Sequence, residues 1–271
     1  MKRSSPEKIT SFFKANGKRP RKSFSQNFLI DANIVRKIVA VADISDKDSI
    51  LEIGPGYGAL TEFLVATGAN VVVVEKDLLF QDELEKLPIT VFMQDIKDFS
   101  FAALPEGGKV VANLPYHITT PILIMLFEKA LGKFNSVTVM IQKEMAQRAA
   151  ATPSSVNYGS FSVFLAFHAN VKIAFNVSPS CFFPKPAVHS SVVHMTVKKE
   201  FPLPLNEREA FFKMTRKAFH MRRKMLVNAL EALYDKEKVR QGLERMSKSP
   251  QVRAENLSLE DFVLLYRFLN P

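Results

Sequence analysis

Cysteine is nearly absent from the chain: Cys181 is the single one in 271 residues. An internal disulfide and a cysteine-rich metal site are therefore excluded. Long apolar runs are also missing. Stretches such as 121–127 fall far short of the ~20 residues needed to span a bilayer. The first 22 residues are basic but carry no apolar segment of the kind a secretory leader needs. No repeat or low-complexity tract appears. What remains is ordinary for a soluble, intracellular globular protein. Hydrophobic residues make up 47% and charged residues 24%, with mean hydropathy +0.01, which excludes a disordered or collagen-like chain. At about 150 residues per domain, the length predicts one large domain or two small ones.

The formal net charge of +10 is unevenly spread. Residues 1–25 hold eight Lys/Arg against one acid, and 205–271 hold fourteen against nine. The centre, 26–204, holds fifteen against seventeen, so the positive excess lies at the two ends. The densest run is Lys213, Arg216, Lys217, Arg222, Arg223 and Lys224, with no acid between them. A basic arm and a basic helical patch around a near-neutral centre fit a polyanionic partner. A solvated basic face explains either segment taken alone. A membrane surface fits less well, because the arm has no sustained apolar face.

Along the chain, helical and β-type patterns alternate. Helices are predicted over 31–42, capped by Asp31, and over 59–66, 78–87, 120–130 and 143–151. Strands are predicted over 49–53, 70–75, 90–94, 109–112 and 137–142, with two more near 171–177 and 191–197. Near-continuous Val/Ile runs such as NVVVVE mark strands buried on both faces, hence a mostly parallel sheet covered by helices. The proline-rich FPLPLN then reads as a linker. Beyond it the pattern is helical over 207–233, 236–245 and 258–269, with Ser258 as cap. The expected organisation is a flexible basic arm (1–20), an α/β domain (21–200) and a small all-helical domain (201–271).

The first strand runs into Gly54-Pro55-Gly56-Tyr57-Gly58. Glycines at the exit of a parallel strand allow a sharp turn and close approach of a ligand to the backbone. The next strand ends in Glu75, placed to accept the hydroxyl protons of a ribose. The unit therefore predicts an adenosine-containing cofactor. The dinucleotide fingerprint G-x-G-x-x-G fails at its last glycine, and no phosphate-binding G-x-x-x-x-G-K-[ST] is present. The G-x-G-x-G form preceded by an acid, Glu52, looks like the first motif of S-adenosylmethionine (SAM) methyltransferases. Asp95, at the end of the third strand, could accept a hydrogen bond from the adenine amine.

The fourth strand ends in Asn113-Leu114-Pro115-Tyr116. This tetrapeptide looks like the N-P-P-Y type signature of amino-methyltransferases acting on nucleic-acid bases. The exocyclic nitrogen of adenine is a poor nucleophile because its lone pair is delocalised into the ring. An amide oxygen from Asn113 and a carbonyl from Leu114 can accept its two N–H bonds, aim the lone pair at the methyl carbon and stabilise the developing charge. Pro115 stiffens the turn. Tyr116 offers a ring on which an extruded base can stack. A strand-ending turn of common turn residues is the bland alternative. No metal is needed for the reaction, and none is expected.

These segments together resemble the KsgA-type small-subunit ribosomal RNA adenine dimethyltransferases. The resemblance runs from about residue 21 to the last helix. It rests on KSFSQNFL (22–29), LEIGPGYGALT (51–61), VVVVEKD (71–77), Gln94-Asp95, NLPY (113–116) and IQKEMAQR (141–148). Tyr158-Gly159, PSCFFPKPAVHSSVV (179–193) and RRKMLVNAL (222–230) complete it. It implies a Rossmann-like seven-stranded methyltransferase domain and a helical domain. Gln26, Asn27, Leu29, Gly54, Gly56, Glu75, Lys76, Asp95 and Asn113 would form the SAM site, with S-adenosylhomocysteine as product. Tyr116 and Phe182 would sandwich the target base, and Arg216, Arg222, Arg223 and Lys224 would bind RNA. The implied reaction is N6,N6-dimethylation of two adjacent adenosines in the 3′-terminal hairpin of small-subunit rRNA. The implied setting is a cytoplasmic monomer acting on the assembling small subunit. Ser25 departs from the pattern, which usually has Gly before the Gln of the first segment. An RNA-binding assembly factor, a transcription-associated relative and a DNA adenine methyltransferase stay open as alternatives.

Overall fold

The computed structural model describes residues 3, 5–20, 26–130 and 132–271. Helix α1 (Pro6–Ala15) comes first. Ser5 caps it by accepting from Lys8 N–H, and Pro6 sits at its first position, where the missing N–H costs nothing. A two-residue strand β1 (Phe28–Leu29) leads to α2 (Ala32–Ala42). The Asp31 carboxylate caps α2 through the N–H groups of Asn33 and Ile34. Then come β2 (Ser49–Ile53), α3 (Thr61–Val65), β3 (Asn70–Glu75), α4 (Gln81–Leu84) and β4 (Thr90–Met93). They are followed by β5 (Gly108–Asn113), α5 (Thr119–Lys129), β6 (Phe134–Gln142), α6 (Lys143–Ala149) and α7 (Ser160–His168). Strands β7 (Ala169–Val177), β8 (Phe182–Phe183) and β9 (Ser190–Val197) follow. Last are α8 (Leu205–His220), α9 (Leu226–Ala229), α10 (Lys236–Arg245) and α11 (Leu259–Leu269).

Seven strands form one sheet in the order β4-β3-β2-β5-β6-β9-β7. The pairs β2–β3, β3–β4, β2–β5 and β5–β6 are parallel, and β6–β9 is antiparallel. The fold is thus a Rossmann-like, mostly parallel sheet with helices around it. The chain winds outward from β2 to β4 and then returns to β5 on the other side of β2. That reversal opens a crevice at the carboxyl ends of β2 and β5, the usual binding place in such sheets. The central strands are apolar because both faces are covered: Val71, Val73, Val110, Val111 and Val139 are at most 1% exposed.

The chain forms two compact units, Met1–Ala146 with Lys172–Val197, and Gln147–Val171 with Lys198–Pro271. The helical unit therefore also takes α7 and the loop before it, rather than starting at a single cut near residue 200. Within that unit His168, Phe164, Phe167, Phe201 and Phe212 form an aromatic cluster, and the His168 ring nitrogen bonds the Phe164 carbonyl.

Three expectations need correction. Within the expected flexible arm (1–20), residues 6–15 are a packed helix: Ile9 and Phe13, one helical turn apart, are buried in the core of the α/β unit. The basic residues around them masked an apolar face only one side chain wide. The helix predicted over 59–66 is the single short α3, and that over 78–87 is a 3-10 turn (Leu78–Phe80) followed by α4. The helix predicted over 207–233 ends at His220. The Arg222 guanidinium bonds the carbonyls of Ser155 and Val156 and the Glu255 carboxylate, which holds 221–225 out of helical continuation. The Arg-Arg-Lys run accordingly lies in a break. Met221 and Met225 are exposed, while Leu226 and Leu230 are buried. The predicted KSFS segment at 22–25, including Ser25, lies outside the described residues.

Candidate cofactor and catalytic site

A cavity of about 390 Å³ occupies the crevice at the ends of β2, β3, β4 and β5. Its walls include Gln26, Asn27, Gly54, Gly56, Glu75, Lys76 and Asp95, and at one end Asn113, Leu114, Pro115 and Tyr116. The topology assembles residues up to 90 positions apart, because each parallel strand delivers its loop to the same edge of the sheet.

The glycine loop is shaped by backbone conformations that disfavour side chains. Gly54 and Gly56 have φ of +67° and +55°, and a Cβ on Gly56 would stand 3.1 Å from the Phe28 ring. The Glu75 carboxylate fixes this loop from the neighbouring strand: its two oxygens accept from Gly56 N–H (2.9 Å) and Asp77 N–H (2.7 Å). Burial pushes the Glu75 carboxyl up, and these backbone bonds oppose the shift. A carboxylate offers about four lone-pair sites, so acceptor capacity remains toward the cavity.

Asp95 caps the turn after β4 by accepting from Lys97 N–H, and Lys76 Nζ lies 2.8 Å from its other oxygen. The Lys76 hydrogen bond, with Lys97 N–H behind it, holds the Asp95 carboxyl below its ordinary value. Asp95 is thus an ionised acceptor at the cavity wall. Gln26 Nε2 donates to Asp77 Oδ2 at 2.9 Å, which ties the segment before β1 to the loop after β3.

Glu52, the acid before the glycine loop, lies behind the cavity rather than in its wall. It is 2% exposed, its Oε2 is buried without a hydrogen-bond partner, and the Thr61 hydroxyl is the polar group beside the carboxyl. Burial, with a contribution from the charge of Glu75, pushes its carboxyl up to about 8.

The tetrapeptide closes the other end. Asn113 Nδ2 donates to the Asn27 carbonyl at 3.3 Å, leaving Oδ1 as the acceptor of that amide. Leu114 N–H is anchored to the Met140 carbonyl, and the Pro115 carbonyl receives Ile118 N–H and the Thr119 hydroxyl. The Tyr116 hydroxyl stands 2.7 Å from Ser190 Oγ on β9.

The ribosomal RNA adenine dimethylase family model matches residues 17–271. The chain belongs to that family. It is 49% identical over 274 residues to ribosomal RNA small subunit methyltransferase A of Chlamydia muridarum, covering 99% of both chains. The protein of the same name from Protochlamydia amoebophila is 43% identical and is covered to 96%. Among solved structures, a dimethyladenosine transferase from Plasmodium falciparum aligns with a TM-score of 0.76 at 26% identity, over 88% of this chain and 95% of that one. The family uses SAM, and the donor set described above fits it: a left-handed glycine turn, a carboxylate held against that turn and an ionised acceptor in the cavity wall.

Two residues expected in the site are not brought into it. Leu29 and Phe182 pair across the β1–β8 ladder, both are 3% exposed, and neither lines the cavity. Paired residues of a ladder share one face, and the Leu29/Phe182 face packs into the core. They brace the wall, and Tyr116 is the aromatic residue of the expected pair that lines the cavity. Sequence reasoning missed Phe28 and Ser190. Phe28 lies inside the 22–29 segment, but only the structure shows it against the glycine loop.

Of the residues expected to bind RNA, Arg216, Arg223 and Lys224 are exposed. Arg222 is committed to the Glu255 carboxylate (2.7 Å) and the Val156 carbonyl (2.7 Å). Among the described residues no group of three or more His, Cys, Asp or Glu could hold a metal ion, and no helix is long and apolar enough to cross a membrane.

Proposed function

We propose that this protein dimethylates N6 of two adjacent adenosines in the 3′-terminal hairpin of small-subunit rRNA, and that it acts on the assembling small subunit in the cytoplasm. The observation that carries the reading is the placement of Asn113 and Tyr116 at the end of the cavity whose other walls carry Glu75 and Asp95. The relatives named as small-subunit rRNA methyltransferases, matched along nearly their whole length, support the choice of substrate.

SAM, when bound, supplies an electrophilic methyl group on a sulfonium. The chain supplies orientation. Glu75 holds the ribose hydroxyls and Asp95 the adenine amine of the cofactor. Gln26 and Asn27 close the cavity from the segment before β1. Asn113 Oδ1 and the Leu114 carbonyl accept the two N–H bonds of the target nitrogen, which turns its lone pair toward the methyl group. Fixed dipoles of this kind stabilise the positive charge that grows on nitrogen, at no reorganisation cost. Tyr116 stacks on the extruded base. Arg216, Arg223 and Lys224 hold phosphates, and the protein works as a monomer.

The test is methyl transfer from labelled SAM to small ribosomal subunits lacking the modification, with naked rRNA and duplex DNA alongside. The expected product after digestion is N6,N6-dimethyladenosine from the subunit or its rRNA. Transfer to duplex DNA alone, or none to any substrate despite SAM binding, would overturn the reading.

A further inference from the structure

The Tyr116 ring needs an anchor that local structure does not provide. Tyr116 opens a single 3-10 turn (Tyr116–Ile118) after Pro115, with no side-chain cap. Its backbone side is fixed through Leu114 N–H and the Pro115 carbonyl. At the far end its hydroxyl meets Ser190 Oγ at 2.7 Å. Ser190 is 0% exposed and is the first residue of β9, opposite Gln142 in the β6 ladder. Its neighbour Ser191 donates its hydroxyl to Asn176 Oδ1 at 2.7 Å, so both serines at this strand end are tied down. A buried serine hydroxyl in an apolar strand must be paired, and here the partner is the phenol that lines the cavity. Burial pushes the phenol up, with the Ser190 bond opposing, so the ring stays protonated and hydrogen-bonded at neutral pH.

We propose that Ser190 is a positioning residue whose buried hydroxyl holds the Tyr116 ring in the orientation that receives the target adenine. The proposal rests on the base-methyltransferase reading of the site. Stacking is only weakly directional, so the base is placed no better than the ring it stacks on. A misplacement of the order of 1 Å can cost about a hundred-fold in rate. The second methyl transfer is the more demanding one, because the monomethylated amine is bulkier and must present its remaining N–H. Loss of the anchor therefore raises the share of product that stops at N6-methyladenosine.

The experiment uses the full chain as wild type, Ser190→Ala, Ser190→Thr, Tyr116→Phe and the Ser190→Ala/Tyr116→Phe double variant. Turnover is measured on a hairpin RNA with two adjacent adenosines. Stacking is measured on the same hairpin with 2-aminopurine at the first target position. Ser190→Ala is expected to lower kcat by about ten-fold, the size of one lost hydrogen bond, with KM for SAM unchanged. It is also expected to raise the monomethyl fraction and weaken 2-aminopurine quenching. Ser190→Thr, which keeps the hydroxyl, restores both. Tyr116→Phe loses as much as Ser190→Ala, and the double variant loses no more than either. Wild-type turnover and quenching in Ser190→Ala, multiplying losses in the double variant, or a loss confined to KM for SAM would overturn the proposal. Should Ser190→Ala fail to fold, Tyr116→Phe removes the same bond from the other side, and wild-type turnover there overturns it equally. If wild type quenches 2-aminopurine in a Ser190-dependent way yet transfers no methyl group, the methyltransferase reading falls and the positioning role stands. If wild type does neither, both fall.

Discussion

At the residue scale, the buried acid ahead of the glycine loop does something the motif alone does not reveal. Glu52 is enclosed between β2 and α3, and its carboxyl is raised from 4.5 to about 8 by burial. A raised folded-state value means that the native protein binds this proton more tightly than the unfolded chain does. Its contribution to stability is therefore complete below pH 4.5 and is lost as the pH rises through about 8. Glu52→Gln, which keeps the shape without the titration, is expected to gain stability over wild type progressively between pH 5 and 9. The ceiling is about 5 kcal/mol, set by the full shift. Urea unfolding at a series of pH values measures it, and parallel curves for the two proteins would contradict a neutral buried carboxyl. That Glu75, Asp95 and Asn113 would line one cavity was legible from strand-end position, since parallel strands deliver such residues to one edge. The bonds that tune them were not. Lys76 on Asp95, Asp77 N–H on Glu75 and Asn27 on Asn113 depend on loop geometry that no spacing encodes.

At the scale of elements, α1 is the largest departure from the sequence reading. Phe12 stacks at 5.7 Å on Phe80 and lies 4.8 Å from the Tyr57 ring, while Phe13 packs on Phe28. Phe28 and Phe80 both line the cofactor cavity. The helix thus braces two cavity walls from behind. Arg3, 9% exposed, pairs with Glu62 and Glu83 beside the same loop. Truncating Ile9 or Phe13 to Ala is expected to cost about 2–5 kcal/mol, the range for large-to-small changes in a packed core. It is also expected to weaken SAM binding. A variant within 0.5 kcal/mol of wild type by denaturant unfolding, about the effect of an ordinary surface change, would show that the helix is an ornament. The β-strands were legible because their Val/Ile runs are unbroken. Helix α1 was not, since Ile9, Phe12 and Phe13 span little more than one turn among Glu7, Lys8, Thr10, Ser11 and Lys14 and carry little periodic signal. Helix α7 was missed for the opposite reason. In SFSVFLAFH nearly every residue is apolar and buried, so no face contrasts with another.

At the scale of the whole molecule, charge separates into basic ends and a near-neutral centre, but the structure divides the basic residues by role. Arg222 satisfies Glu255 and two carbonyls within the helical unit, whereas Arg216, Arg223 and Lys224 face solvent. Arg223→Ala and Arg216→Ala are expected to leave stability unchanged and each to reduce the slope of log affinity against log salt by about 1. Arg222→Ala is expected to destabilise instead, by about 1 kcal/mol given the exposure of the pair. Filter binding to the rRNA hairpin from 50 to 200 mM salt separates the two classes. Equal slopes in all three variants would contradict the division.

In the proposed mechanism Asn113 holds the target nitrogen for transfer, a role separate from its bond to the Asn27 carbonyl. The most direct measurement follows SAM binding and product formation together in Asn113→Ala, on small subunits lacking the modification. SAM affinity is expected within a few-fold of wild type, with N6,N6-dimethyladenosine formation lower by about 10²–10³-fold, the scale of one lost fixed dipole at the reacting centre. Dimethylation at the wild-type rate in Asn113→Ala would contradict that role.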